Sequence, residues 1–373
     1  MLMQFDINRD VLLKSLNFVQ GVVEKKNTLP ILSNVLLSLK NNKLEIIATD
    51  LDIVFYDEIS DLKVVEEGNT TTSANVLFDI LRKIPQGTEI NFTLKSENKL
   101  SLKSKNSDFN LLCLPSSNFP TFDDKFESEK IEIDKKKFLS LLNKTKISIS
   151  NDDTRHYLNG IYLHATESNK NTFLTGVATD SHRLSSSSIL VNNVKSFSSV
   201  IIPRKTVFQL CSLLDNIDAN LTLQVSASKI KFSLGNINLI SKVIDGKFPD
   251  YQKVVPKENT KPLTVTSSDF INSVERVASV SIDRKEGVKL ELSRDKLKLS
   301  VNSTNSGDGN EIVAAKYDGD DLVIGFNSKY LIDIASEIED KDLTFSLKNS
   351  TSPVLVFDNS DKNSFYVIMP MKI

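Results

Sequence analysis

FDINRDVLLKSL (residues 5–16), IEIDKKKFLSLL (131–142) and LTVTSSDFINSV (263–274) are three versions of one phrase. Each opens with alternating apolar residues, the period of a strand with one buried face. Each then sets a polar residue (Asn8, Asp134, Ser267) at a helix N-cap and continues with apolar residues at helical spacing. The starts lie 126 and 132 residues apart, so the phrase recurs at a near-constant interval through a chain of 373 residues.

Later landmarks keep the same order. A second helix is expected in each repeat, over SANVLFDILRKI, PRKTVFQLCSLL and FNSKYLIDIASEI, with Phe78, Phe208 and Leu331 in equivalent places. Each repeat closes on strands ending in a bulky residue before proline: Phe119-Pro120, Phe248-Pro249 and Met369-Pro370. A weaker half-repeat, residues 5–60 and again 70–115, makes each half a βαβββ unit. Runs such as VLLSLKNNKLEIIATDLDIVFYDEI alternate apolar and polar residues around Asn/Lys turns, the pattern of antiparallel strands. The fold class is therefore α+β, rich in strand, with two helices per repeat covering sheets. Charged DDKFESEK and proline-bearing VPKENTKP mark linkers, which divides the chain into domains 1–127, 128–256 and 257–373.

A formal charge of −2 leaves no overall attraction to nucleic acid, so any DNA-facing surface must come from segregated charge. Cys113 and Cys211 sit in apolar runs without metal-ligand spacing and read as buried thiols of a cytoplasmic protein; MLMQFDINRDVLL carries no signal or membrane anchor. SGDGNE (306–311) and DGDD (318–321) lack the carboxylate spacing of a calcium loop and read as turns. No phosphate-binding glycine loop, zinc-protease helix or nucleophile elbow is present, and no cofactor is implied. Asp180, Ser181 and His182 stand together in ATDSHRL, but neighbours in an extended segment point to opposite sides, so a catalytic triad is not expected. A β-rich repeat scaffold would also explain repeats without catalysis, though not the absence of an export signal.

Taken together, TLPIL (28–32), ATDLD (48–52), YLNG (157–160), ATDSHRL (178–184), IIPRK (201–205), KVIDGKFPDY (242–251) and YVIMPMKI (366–373) resemble the bacterial DNA polymerase III beta subunit family along the whole chain. The resemblance implies three tandem DNA-clamp domains per chain, a head-to-tail homodimeric ring around double-stranded DNA, and no enzymatic activity. It places Lys26, His156, Tyr157, Arg204 and Lys205 at DNA. Further basic candidates on or beside the helices are Lys14, Lys25, Arg82, Lys83, Lys136, Lys137, Lys144, Arg276 and Lys329. It also implies a pocket for short motifs of the polymerase III alpha and delta subunits and other clamp-binding proteins. Matching residues are Leu158, Thr179, His182, Arg183, Leu184, Pro249, Lys253, Val254 and the terminal Val367, Ile368, Met369, Pro370, Met371, Lys372 and Ile373. Apolar walls there accept leucine or phenylalanine anchors, and the methionines adapt to several partners. A dimer contact is expected around Phe109 and Val280, with Lys99, Lys103 and Lys105 basic on one side and Asp308 and Glu311 acidic on the other.

Overall fold

The computed structural model describes residues 3–24, 28–168, 170–191, 197–281 and 287–372. In the first repeat β1 (Gln4–Asn8), α1 (Arg9–Val19), β2 (Asn34–Lys40), β3 (Lys43–Thr49), β4 (Ile53–Ile59) and β5 (Leu62–Glu66) are followed by β6 (Gly68–Ser73), α2 (Ala74–Lys83), β7 (Glu89–Ser96), β8 (Lys99–Ser104) and β9 (Ser107–Leu114). The second repeat has β10 (Ile131–Ile133), α3 (Lys135–Lys146), β11 (Gly160–Ser168), β12 (Asn171–Thr179) and β13 (Arg183–Val191), then β14 (Val200–Pro203), α4 (Arg204–Asn216), β15 (Leu221–Val225), β16 (Lys229–Leu234) and β17 (Ile237–Lys242). The third has β18 (Lys261–Thr266), α5 (Ser267–Ala278), β19 (Gly287–Ser293), β20 (Lys296–Ser303) and β21 (Gly307–Lys316), then β22 (Leu322–Asn327), α6 (Ser328–Ser336), β23 (Asp342–Leu347), β24 (Val354–Asp358) and β25 (Ser364–Ile368). Each half-repeat is strand, helix, then strands, as the sequence pattern requires.

Local chemistry explains the start of α1 and corrects that of α5. Asn8 caps α1, its side chain accepting the Asp10 N–H at 2.8 Å. In the third repeat the cap position is Thr266, and Ser267 is already helical, its hydroxyl donating to the Ala335 carbonyl at 3.0 Å. The second helices also align one residue away from the sequence match. Leu77, Val207 and Leu331 are each the fourth residue of their helix and are buried to 1% or less, whereas Phe208 is 45% exposed and so matches Ile332, not Leu331. Of the three bulky residues before proline, only Met369 directly follows a strand. Phe119 and Phe248 lie on the connecting segments and fold back to be buried.

Packing divides the chain into two compact units, 1–136 with 205–243, and 137–204 with 244–373. Each is organised on one antiparallel sheet. The first unit's sheet has the order β10-β15-β16-β17-β4-β3-β2-β6-β9-β8-β7-β1-β5, and the second's β14-β11-β12-β13-β25-β24-β23-β18-β21-β20-β19-β22. Under the first, Leu12, Leu16 and Val19 of α1 bury one helical face near stacked Phe5 and Phe92, whose centroids are 4.9 Å apart. Under the second, Phe270 and Val274 of α5 and Leu331 and Ile334 of α6 enter a core with Leu263, Phe345 and Tyr366. Each such side chain contributes about 1.5–3 kcal/mol on burial, so sheet and helices hold each other.

Two ladders join successive repeats. In the first unit β4 pairs with β17, placing Val54 opposite Ile240, Phe55 opposite Leu239 and Tyr56 opposite Asn238. In the second, β13 pairs with β25 in the equivalent register: Leu184 opposite Val367, Ser185 opposite Tyr366 and Ser186 opposite Phe365. Both times the third strand after one repeat's first helix meets the last strand of the next repeat.

Candidate functional site

At the second ladder an apolar patch gathers. Leu158, Val177, Leu184, Ile201, Phe248, Tyr251 and Val367 are buried together, with Tyr157, Tyr162 and Leu355 packed against them. The strands make this inevitable: Tyr162 lies opposite Val177, Thr179 opposite Leu184, and Leu184 opposite Val367, so alternate residues of four neighbouring strands share one face. Gly160 lets the preceding loop approach, since a Cβ there would stand 2.1 Å from the Ile202 carbonyl oxygen. Phe248 stacks on Tyr162 at 4.9 Å, and the Tyr251 hydroxyl and His164 Nε2 are 3.1 Å apart. Burial holds the His164 imidazole below its ordinary pKa and favours the neutral ring.

The rim of the patch is a turn, not the extended segment expected for ATDSHRL. Ser181 takes a φ of +76°, and Asp180 Oδ1 accepts the N–H groups of His182 and Arg183, both at 2.9 Å. Thr179 Oγ1 donates to the Arg183 carbonyl at 2.7 Å. ATDLD forms the same turn: Leu51 has φ +80°, and Asp50 Oδ1 accepts from Asp52 at 3.0 Å and Ile53 at 2.7 Å. The motif is thus turn chemistry that fixes the start of a joining strand.

Of the expected pocket residues, Leu158, Leu184 and Val367 come together in the patch, and Thr179 and His182 shape its rim. Met369 donates its N–H to the His182 carbonyl at 2.8 Å and Met371 to Gly325 at 2.8 Å, so the terminal segment is held across the strand ends; Met369 stays 40% exposed. Pro370 and Met371 are partly buried and Lys372 is exposed. Pro249, Lys253 and Val254 are exposed on the segment that carries Phe248 and Tyr251, with Lys253 paired to Asp250 at 3.3 Å. Arg183 and Ile368 point to the opposite face. Ile368 is buried in the third-repeat core, and Arg183 stacks 4.3 Å over Tyr330 while pairing with Asp180 at 3.1 Å and Asp333 at 2.6 Å. Ile373 and Lys26 lie outside the described residues, as does Lys25. Tyr162, Val177 and Tyr330 escaped the motif-based reading, though alternation along the strands flanking Leu184 would have found the first two.

The basic candidates are more engaged than their sequence suggests. His156 Nε2 sits 3.1 Å from the Asp245 carbonyl, Tyr157 packs against the patch, and Arg204 bonds to Asn151 through its guanidinium and to the Asn159 carbonyl through its N–H. Lys205 pairs with Asp50 at 2.6 Å and donates to the Val22 carbonyl at 2.8 Å. Lys144 is 5% exposed and cannot face a ligand: it lies 2.9 Å from both Asp361 and Glu339. Burial works to lower its pKa, but those carboxylates raise it on balance. Arg276 forks onto Glu311 through Nε, at 2.9 Å to Oε2, and Arg82 lies 3.3 Å from Asp79. Lys14, Lys83, Lys136, Lys137 and Lys329 are exposed. On the expected dimer edges, Lys103 is paired with Asp108 of its own hairpin at 3.3 Å, Lys99 and Lys105 are exposed, and Phe109 and Val280 are partly buried. Charges read as cross-interface partners are therefore partly satisfied within the chain.

Both cysteines are buried. Among the described residues no cluster of three His, Cys, Asp or Glu side chains could hold a metal ion, and no helix is long and apolar enough to cross a membrane.

Tandem α+β modules joined edge to edge, with an apolar patch beside a joint, define an assembly and docking protein of the clamp type. Three family models cover the chain: the DNA polymerase III beta subunit N-terminal domain over residues 3–123, the central domain over 132–250 and the C-terminal domain over 252–372. The beta sliding clamp of Caulobacter vibrioides is 38% identical over 373 residues, and that of Escherichia coli K12 is 34% identical over 371, each alignment covering 100% of both chains. A crystal structure of the Caulobacter crescentus beta sliding clamp superposes with a TM-score of 0.96 at 38% identity, covering 100% of this chain and 99% of that one. A sliding clamp from Bartonella birtlesii bound to griselimycin gives 0.95 at 39% identity, with 100% of both chains covered. The chain belongs to the DNA polymerase III beta subunit family, the sliding clamps that serve as processivity factors in DNA synthesis.

Proposed function

We propose that two copies of this chain close head to tail into a ring that encircles double-stranded DNA without reading its sequence, catalyses nothing, and tethers polymerases in the cytoplasm. The observation that carries this is the repeated ladder. β4 meets β17 and β13 meets β25, so the remaining member of the series, β21, calls for the last strand of a first repeat, β9. Among the described residues, β21 has β18 as a second neighbour only at Ala315 and Lys316, and β9 has β6 only at Cys113 and Leu114. The rest of each edge is available to pair with another chain. A head-to-tail join closes once the rotation completes a circle, and two chains of three domains, with boundaries near 127 and 256, supply six modules.

Carrying the register over sets Phe109 opposite Gly309, Asn110 opposite Asp308 and Asp108 opposite Asn310. Gly309 suits this place because a Cβ there would stand 2.9 Å from the Val280 side chain, so its absence leaves room for Phe109 of the partner against Val280. The test is a double cysteine variant, Asp108→Cys with Asn310→Cys. Oxidation is expected to give a covalently closed dimer that stays on circular DNA and leaves linear DNA. Persistent monomer, or equal loss from both DNAs, refutes the ring.

The apolar patch is the docking groove for short peptides of the polymerase III alpha and delta subunits and other clamp-binding proteins. Leu158, Leu184 and Val367 with Tyr162 and Val177 form the floor, and His182, Met369 and Met371 the rim. His156, Tyr157, Arg204 and Lys205 are the proposed DNA contacts, acting through phosphates, so that retention rests on enclosure more than on grip. Removing Met369–Ile373 is expected to abolish peptide binding while the ring persists. Unchanged peptide affinity would refute the groove.

A further inference from the structure

The first unit carries a twin of this groove. Its ladders place Leu36 opposite Ile47, Thr49 opposite Val54, and Val54 opposite Ile240. In the second unit the same steps run Tyr162 to Val177, Thr179 to Leu184, and Leu184 to Val367. Ile47, Val54 and Ile240 are accordingly buried as one cluster with Phe119, and Ile31 and Leu36 pack on it. Phe119 and Phe122 stand for Phe248 and Tyr251, with the same spacing of three along the connecting segment.

One difference separates the twins. In the first unit the connecting segment adds a third aromatic, Phe126, which packs on the cluster where the second unit has only Val255. Lys229 lies 4.8 Å above the Phe126 ring and binds Asp123 at 2.8 Å through the carboxylate and 2.7 Å through the carbonyl. Ser128 then ties the segment to β15, its hydroxyl accepting the Val225 N–H at 3.2 Å and its carbonyl the Gln224 amide at 3.0 Å. At the mouth, Lys242 pairs with Asp52 at 3.0 Å. By register these are the positions of Met369 and His182, the open rim of the other groove. The first groove is therefore apolar inside and latched by charge outside.

We propose that Phe126, carried by the chain's own segment 119–126, occupies this twin groove as an intramolecular ligand, so that each chain offers one open docking groove and holds a second closed. The proposal rests on the second-unit patch being the peptide groove. Phe119 and Phe122 are walls of this groove, as Phe248 and Tyr251 are of the other, and Phe126 adds the apolar contact that a docking peptide would bring. Because the segment is part of the chain, its effective concentration at the groove is in the millimolar range, enough to exclude a free peptide of micromolar affinity.

Titration calorimetry of the full-length protein with a synthetic peptide bearing leucine and phenylalanine anchors tests this. The wild type is expected to bind one peptide per chain. Lys229→Ala with Phe126→Ala is expected to bind two, and the same pair of substitutions in a chain lacking Met369–Ile373 is expected to bind one. Asp123→Asn alone, at an exposed side chain, leaves the cluster intact and is expected to speed amide hydrogen exchange over 119–126 by about twofold to fivefold. One peptide per chain in the latch-broken variant, or unchanged exchange in Asp123→Asn, overturns the proposal. No binding to the wild type instead removes the peptide-groove assignment beneath it.

Discussion

Replacing Phe109 with alanine attacks the closing joint at its centre. Phe109 is partly buried within its own chain, and Gly309, the register partner proposed for it, lies against Val280. Closing the joint covers what remains of the ring and of Val280, on the order of 80–100 Å², which at about 25 cal/mol per Å² is roughly 2 kcal/mol. Truncation adds a cavity term and brings the loss to about 2–3 kcal/mol at each joint. A closed dimer has two such joints, so the dissociation constant is expected to rise by about 10³- to 10⁴-fold, each 1.4 kcal/mol being a factor of ten. Sedimentation equilibrium over a dilution series reads this directly, with circular dichroism melting as the check that each chain is still folded. Leu190→Ala, at an exposed site on β13, is the control and is expected to leave dimerisation unchanged. A folded Phe109→Ala protein whose dissociation constant moves less than tenfold refutes the register.

Three further outcomes are expected. Lys144→Ala strips two carboxylates of a buried ammonium and should cost about 2 kcal/mol in urea unfolding of the second unit, less than a fully buried pair because Glu339 is largely exposed; a loss under 0.5 kcal/mol, on the order of a surface pair, would contradict it. Asp358 and Asp361 are pushed up by burial but held below the ordinary carboxylate value of 3.8 by hydrogen bonds, from Ser360 and the Glu339 and Asp340 N–H groups for one and from Ser364 and Lys144 for the other. Because their folded values are depressed, their stabilisation is complete above the unfolded value and is lost as pH falls through the folded one. The melting temperature should therefore drop below about pH 4, and Asp358→Asn should flatten that drop; an unaltered slope would count against the assignment. Asp50→Asn keeps the Oδ1 acceptor of the turn but releases Lys205 from its carboxylate. If Lys205 reaches phosphate, the logarithmic salt slope of DNA binding steepens by about 0.9, and an unchanged slope argues that it does not.

The backbone plan was legible because it rests on local periodicities repeated three times: strand alternation, helix spacing and cap residues all recur in order. What escaped was of two kinds. Phase within a helix is hidden because bulk does not report burial: Phe208 matches Leu331 by size, although the buried stripe runs through Val207. Likewise Ser267 looked like a cap until Thr266 took the place one residue earlier. Charge pairing was lost because partners are remote in sequence. Lys144 meets Asp361, and Lys205 meets Asp50, across 217 and 155 residues. Basic side chains counted as a DNA-facing stripe were thus in part neutralised by carboxylates that no local pattern reveals. In the patch, the resemblance marks the rim, the terminal strand and the floor residues Leu158 and Leu184, while Tyr162 and Val177 follow from strand alternation once the strands flanking Leu184 are paired.

The two joints within the chain and the proposed third between chains share a backbone pattern but differ in what their outward side chains are made of. Where two are lined by Leu36, Ile47, Val54 and Ile240 or by Tyr162, Val177, Leu184 and Val367, the corresponding places at the third are Lys289, Ser300, Asp308 and Asn110. Parting an oily seam in water would invite misfolding and clumping. A seam whose outer skin is hydrophilic can be unzipped and resealed many times, which would make the proposed joint between chains a serviceable gate.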